Sequence, residues 1–149
     1  MMNLSENGIE FIKKHEGLRL KPYLDSVGVP TIGYGNTFYE DGIRVKLTDN
    51  KISKGRADEL FYFILLSFES EVSKYVKSKI NQNQFDALVS FSYNVGIGNL
   101  KKSTLLKKVN INPKDVNIIY QFGRWNKAKG KVLKGLTKRR KEESLLYFS

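Results

Sequence analysis

Two carboxylates nine residues apart, Glu16 and Asp25, are the side chains best placed by their sequence context to do chemistry. The chain has no cysteine and a single histidine, His15. Thiol nucleophiles, disulfides and cysteine-ligated metals are therefore excluded, and no histidine cluster can hold zinc. Carboxylates, hydroxyls and lysines remain, with no metal and no cofactor expected. Glu16 closes an apolar helix stripe. Partial burial there would disfavour its charged form and raise its pKa, which suits a general acid. Asp25 falls in a polar, glycine-rich turn and is expected to stay ionised. Two carboxyl groups in unlike surroundings are the pattern of glycoside hydrolysis. By itself the pair is weak, because an aspartate in a hairpin is usually a turn former.

The elements that must position this pair are legible. Ser5 reads as an N-cap with Glu6 in the first turn, and Ile9, Ile12 and Glu16 share one helical face until Gly17 stops the helix. From Leu18 to Val45, glycines 28, 33, 35 and 42 punctuate segments rich in Val, Ile, Thr and Tyr. They predict short antiparallel strands at about 18–24, 29–35 and 43–46. The remainder is expected to be helical. An apolar helix covers 57–77. A capping pair, Asn83 with Asp86, opens a helix that Gly96 and Gly98 end. Asn112, Pro113 and Asp115 signal another start, and a last helix spans about 136–148. The expected fold class is α+β: a sheet lobe at about 17–50 beside a larger helical lobe, in one domain over 1–149, with a ligand cleft between lobes.

Composition narrows the functional classes. Hydrophobic residues at 40% and aromatic residues at 12% of 149 suit a packed core and exclude disorder. The longest apolar run, Leu60 to Leu66, is far short of the roughly 20 residues of a membrane span. Glu6 and Glu10 stand where a secretory signal would need an apolar stretch, so no signal is expected. A net charge of +11 points to polyanions. Residues 124–141 hold nine basic residues and no acid. This strip suits a solvated face, a phosphate-binding surface or attraction to an anionic wall. The apolar residues Leu145, Leu146, Tyr147 and Phe148 beside it leave membrane activity open.

Identity enters through motifs. His15-Glu16-Gly17-Leu18-Arg19-Leu20, Pro22-Tyr23-Leu24-Asp25, Gly28 and Thr31-Ile32-Gly33-Tyr34-Gly35 follow in order. This resembles the phage-type lysozymes, or endolysins, of glycoside hydrolase family 24: Glu, eight residues, Asp, five residues, Thr, running into T-I-G-Y-G. The resemblance continues through Gln84–Leu88, Phe91–Gly96, Ser103–Leu106, Arg124–Ala128, Gly135-Leu136 and Arg139-Arg140. It implies a small α+β lysozyme fold. It also implies hydrolysis of the β-1,4 bond between N-acetylmuramic acid and N-acetylglucosamine in bacterial peptidoglycan. By the resemblance, Glu16 is the general acid, and Asp25 and Thr31 hold and activate water. Without it, Thr31 would signal only strand propensity. Two departures stand out: Asn36, where histidine is common, and Lys134, where proline is frequent.

The resemblance adds Thr37, Tyr93 and Ser103 as substrate-binding residues. Local chemistry offers other roles: Tyr93 packing, Asn94 capping near Gly96, and Ser103 as an N-cap. Trp125 reads as core, and His15 as a surface group or a neighbour of the site. Asp25 has two possible roles. Direct attack needs carboxyls about 5–5.5 Å apart, and a water-mediated route about 6.5–9.5 Å. A hydroxyl beside Asp25 favours water and an inverted product. The expected partner is peptidoglycan, acted on by a monomer. By the resemblance, the protein waits in the host cytoplasm until a hole-forming holin releases it to the wall. The alternatives are a basic nucleic-acid-binding protein and a catalytically inactive wall-binding module. No helix-turn-helix or RNP pattern supports the first, so no specific nucleic acid is expected. The retained Glu16, Asp25 and Thr31 argue against the second.

Overall fold

A computed structural model describes residues 1–149. The order is α1 (Glu6–Glu16), β1 (Arg19–Leu24), β2 (Pro30–Gly33), α2 (Lys54–Tyr75), α3 (Gln82–Val95), α4 (Ile97–Lys102), α5 (Thr104–Ile111), α6 (Asn117–Gly123), β3 (Lys127–Ala128), β4 (Lys131–Val132) and α7 (Lys134–Tyr147). The expected α+β class is observed: mostly helix, with two small antiparallel pairs, β1–β2 and β3–β4. The chain divides into two compact units, Ile12–Ser67 and Met1–Phe11 with Phe68–Ser149.

In Ile12–Ser67, Tyr23 lies opposite Thr31 and Leu24 opposite Pro30. The register shifts between Arg19 and Tyr23, a stretch containing Pro22, which has no N–H to give the ladder. The strand expected at 43–46 is only a single bridge, Phe38 to Arg44. Ile43, Arg44 and Lys46 are exposed and only Val45 turns inward, so a single apolar anchor holds the segment and no longer ladder forms. The small core here is Ile32, Val45 and Leu60, with Tyr39 and Ile52 against it.

In the helical unit, α3 is buried from Gln84 to Ser92 without a break and packs on α4 and α7, while α6 packs on α5 and α7. Phe91 meets Phe122 and Trp125 edge-on, with ring centroids 5.6 and 5.7 Å away, and Trp125 is half-buried, with one side on this aromatic cluster. Three local readings need correction. The capping box of α3 is Asn81 with Gln84, not Asn83 with Asp86; the Gln84 N–H donates to Asn81 Oδ1 at 2.9 Å and the Asn81 N–H to Gln84 Oε1 at 2.8 Å. Gly96 ends α3, but Gly98 lies inside α4. Asn112, Pro113 and Asp115 form a turn rather than a helix start. Their Asx side chains accept the N–H groups of Lys114 and Asn117, two residues on, and α6 begins only at Asn117.

The β3–β4 hairpin was also unexpected. Its tip, Lys129-Gly130, has φ of +51° and +77°, the left-handed pair that a two-residue hairpin turn requires. Beyond it, α7 buries charge. Glu143 accepts from Ser90 Oγ at 2.6 Å and meets Arg140 Nε at 2.7 Å and Arg139 Nε at 3.2 Å, all three charged residues being buried. Two of the nine basic residues in the 124–141 strip therefore belong to the interior.

Candidate active site

Glu16, Asp25 and Thr31 all belong to the Ile12–Ser67 unit. Glu16 is the last residue of α1 and is half-buried. The helix stops there because Gly17 takes φ +72° while its N–H still donates to the Lys13 carbonyl at 2.9 Å. The same turn is anchored by Lys13. Its Nζ lies 3.2 Å from Asp58 Oδ1, donates to Tyr62 Oη at 3.4 Å and sits 5.2 Å from the centre of the Tyr34 ring. Against the pull of burial, Asp58 and Tyr62 hold the Lys13 ammonium above the usual lysine value.

Asp25 is fixed by its own turn. Its Oδ1 accepts the N–H groups of Val27 and Val29, both at 2.9 Å. The second carboxylate oxygen, Oδ2, remains to hold another ligand. The Val29 peptide joins Asp25 to Thr31. Its carbonyl accepts the Asp25 N–H at 3.0 Å and the Thr31 hydroxyl at 2.8 Å, while its N–H is on Asp25 Oδ1. Thr31 is buried, so its hydroxyl direction is set by this bond. Because the hydroxyl proton goes to Val29, the Thr31 oxygen is left as an acceptor.

Tyr23 is the residue that the sequence reading did not single out. It pairs across the strands with Thr31, which puts both side chains on one face. The Arg19 guanidinium lies over its ring at 4.5 Å. Burial pushes the Tyr23 phenol up, Glu16 adds to the rise, Arg19 pulls it back, and Asp25 adds a smaller push. Both carboxylates therefore act electrostatically on one phenol. The available signal was the period-2 spacing of Tyr23 and Asp25 just ahead of a hairpin turn.

The other candidates fall in different settings. Thr37 is half-buried in the Ile12–Ser67 unit, where its carbonyl accepts the Val45 N–H at 2.9 Å. Asn36, at the position where histidine is common, is buried; its Nδ2 donates to the Leu60 carbonyl at 3.2 Å, and its Oδ1 is left without a hydrogen bond. His15 is half-buried rather than at the open surface. In the helical unit, Tyr93 stacks obliquely on Phe68 at 5.2 Å. Ser103 is buried as the N-cap of α5; its Oγ accepts from the Leu106 N–H at 3.0 Å and donates to the Leu100 carbonyl at 2.7 Å. It lines a recess of about 300 Å³ together with Lys102, Thr104, Arg124 and Trp125. No group of three His, Cys, Asp or Glu side chains is placed to hold a metal ion.

Comparison with known proteins bears on this arrangement. The family model described as phage lysozyme matches residues 13–143. The endolysin of Bacillus phage B103 is 42% identical over 152 residues, covering 99% of this chain. The chain spans only about half of that relative, 55% of its length. The endolysin of Salmonella phage P22 is 39% identical over 154 residues, with both chains covered completely. Among solved structures, an endolysin from Escherichia coli O157:H7 phage FAHEc1 superposes with a TM-score of 0.90 at 38% identity, covering 99% of this chain and 94% of that one.

Proposed function

The chain belongs to the phage lysozyme family, and from that premise we propose that it is a muramidase that hydrolyses the β-1,4 bond between N-acetylmuramic acid and N-acetylglucosamine in peptidoglycan. The observation that carries this reading is the Val29 peptide, which ties Asp25 and Thr31 together. A water can donate one proton to Asp25 Oδ2 and the other to Thr31 Oγ1, leaving its lone pair to attack the anomeric carbon. Glu16 gives its proton to the leaving oxygen. The attacking oxygen becomes the new anomeric hydroxyl, and its proton passes to Asp25. Attack by water from the face opposite the leaving group inverts the centre. Asp25 as direct nucleophile would leave the Thr31 hydroxyl without a task.

Thr37, Tyr93 and Ser103 are proposed sugar contacts. With its hydroxyl engaged in a cap, Ser103 would contribute shape and backbone rather than a free hydroxyl. The protein would act as a monomer and would remain in the host cytoplasm until a holin opened the membrane. No helix in it is long and apolar enough to cross a membrane.

The test combines Glu16→Gln with product stereochemistry. An amide cannot donate the proton, so wall clearance should fall by about 10³-fold with an unchanged circular dichroism spectrum. Proton NMR of the wild-type reaction should show the α-anomer first. Retention of a tenth of wild-type turnover would place the acid elsewhere, and an initial β-anomer would overturn the water route.

A further inference from the structure

The β3–β4 hairpin and the outer face of α7 carry exposed positive charge that the proposed hydrolysis does not use. Lys127, Lys129 and Lys131 lie on the hairpin, and because Lys127 pairs with Val132 and Lys131 with Ala128, they put a charge on each face of the ribbon and one at its tip. Lys134, Lys138 and Lys141 follow along α7 at i, i+4 and i+7, which makes them one stripe on that helix. All six are exposed, and no acidic residue occurs between positions 124 and 141. Of the three arginines in the same segment, Arg139 and Arg140 are turned inward to Glu143, while Arg124 is exposed at the end of α6 and donates to Gln121 Oε1 at 3.1 Å. The fold has thus separated the basic residues into a buried structural pair and an outward set in which the hairpin and α7 contribute only lysine. The hairpin tip keeps Lys129 at φ +51°, a conformation that favours glycine or asparagine. A charge therefore stands at the most projecting point of the turn.

We propose that these lysines, around the hairpin and along α7, dock a linear, phosphodiester-linked polyanion of the bacterial cell wall. Flexible ammonium groups are point charges that follow irregularly spaced phosphates, whereas base-edge readout in nucleic acids leans on the arginine fork and amide side chains, and none of these six residues carries either. A bilayer surface is disfavoured by the apolar content. Val132 and Leu133 are exposed, but Lys131 and Lys134 flank them, and the α7 stripe adds only Leu145 and, past the helix end, Phe148. An interfacial helix needs a broad apolar face. The choice of a wall polymer as occupant rests on the muramidase reading; the charge chemistry does not.

The experiment is sedimentation with purified cell walls, using Glu16→Gln protein so that nothing is cleaved. The parent is compared with the triple variant Lys127→Gln/Lys129→Gln/Lys131→Gln and with the corresponding triple Lys→Arg variant, over a range of salt. On intact walls the Gln variant should bind about tenfold more weakly at low salt, and its log–log salt slope should be shallower by about 2, at roughly 0.7 per lost cation. The Arg variant should bind like the parent. On walls stripped of phosphodiester polymers, parent and Gln variant should bind equally weakly. Equal binding of parent and Gln variant to intact walls would overturn the proposal. So would undiminished binding of the parent to stripped walls. Tighter, hairpin-dependent binding to anionic phospholipid vesicles or to duplex DNA would also overturn it and reassign the face. Hydrolysis of a soluble, phosphate-free glycan by protein retaining Glu16 should be unchanged by the three Gln substitutions. Failure of the muramidase reading would instead show as no hydrolysis by the parent, whatever the binding result.

Discussion

In the Ile12–Ser67 unit, the Asp25 carboxylate takes two backbone N–H groups on one oxygen and remains half-exposed. In the helical unit, the Glu143 carboxylate takes a serine hydroxyl and two guanidiniums and is fully buried. These surroundings set what each carboxylate can do. Peptide N–H groups are uncharged and fixed by the turn, so they orient Asp25 without neutralising it and leave Oδ2 free for a water. Guanidiniums cancel the charge of Glu143 and occupy its oxygens, so this carboxylate can only hold α7 to α3. Burial pushes the Glu143 carboxyl up, while Arg140, Arg139 and the Ser90 hydroxyl pull it back.

The comparison breaks most sharply at Glu143. Removing one partner of a buried ion cluster leaves the others uncompensated, so Glu143→Ala should cost about 3–5 kcal/mol in chemical denaturation. Replacing Arg139, Arg140 and Glu143 together with apolar residues of similar volume should recover most of that loss. A single-variant loss below about 1 kcal/mol would mean that the cluster does not hold these helices.

A second buried carboxylate sharpens the contrast. Asp86 accepts the Ser5 N–H at 3.2 Å, the Ser5 hydroxyl and the Gln82 amide at 2.8 Å. A Cβ on Gly8 would stand 2.5 Å from Asp86 Cγ. In an ordinary helix, Gly→Ala gains about 1 kcal/mol. Here, Gly8→Ala should instead destabilise by about 1–3 kcal/mol through overpacking, read as a lowered Tm. A raised Tm would show that Asp86 yields easily.

Ser103 tests whether a family site residue in the helical unit serves the fold. Losing the cap of α5 should cost about 1 kcal/mol in Ser103→Ala. The KM for wall substrate should change by less than about threefold; a tenfold rise at unchanged stability would give Ser103 a direct hold on sugar.

The smallest effect belongs to a surface pair in the sheet-bearing unit. Arg56 donates to both oxygens of Glu40, the Nη2–Oε1 bond being 2.7 Å. The Arg56 guanidinium holds the Glu40 carboxyl below its usual value against a slight upward push from burial. A carboxyl with a lowered folded pKa contributes stability above its ordinary pKa of about 4.3, and that stability is lost as pH falls through the lowered value. Glu40→Gln should therefore cost less than about 1 kcal/mol at pH 7 and remove part of the loss seen below about pH 4. An unchanged acid limb would discount the pair.

Local signals were sufficient wherever a few neighbouring residues decide a conformation. Ser5 caps α1 through the Gly8 N–H at 3.0 Å, Gly17 ends it, and the glycines near 28–35 set the β1–β2 hairpin. They failed where equivalent local choices compete. Asn81 and Asn83 could each open α3, and the choice fell to Asn81, whose box partner Gln84 is also buried against the Pro113 carbonyl, 3.5 Å from its Nε2. The β3–β4 hairpin hid because its strands are two residues each and present no apolar face: Ala128 pairs with Lys131, and Val132, opposite Lys127, is exposed.

The spacing of Glu16, Asp25 and Thr31, the fold class and the net charge are properties of residue order and type, and so were legible before folding. Which charges are buried was not. Arg139 and Lys138 are adjacent and both cationic, yet one is enclosed with Glu143 and the other faces water. Folding also decided the tie between Asp25 and Thr31, since neither residue type announces that both will bind the same peptide at Val29. The reason is physical: burial and hydrogen-bond partners depend on surfaces brought together across the chain, whereas caps, turns and helix stripes are settled within a few residues of themselves.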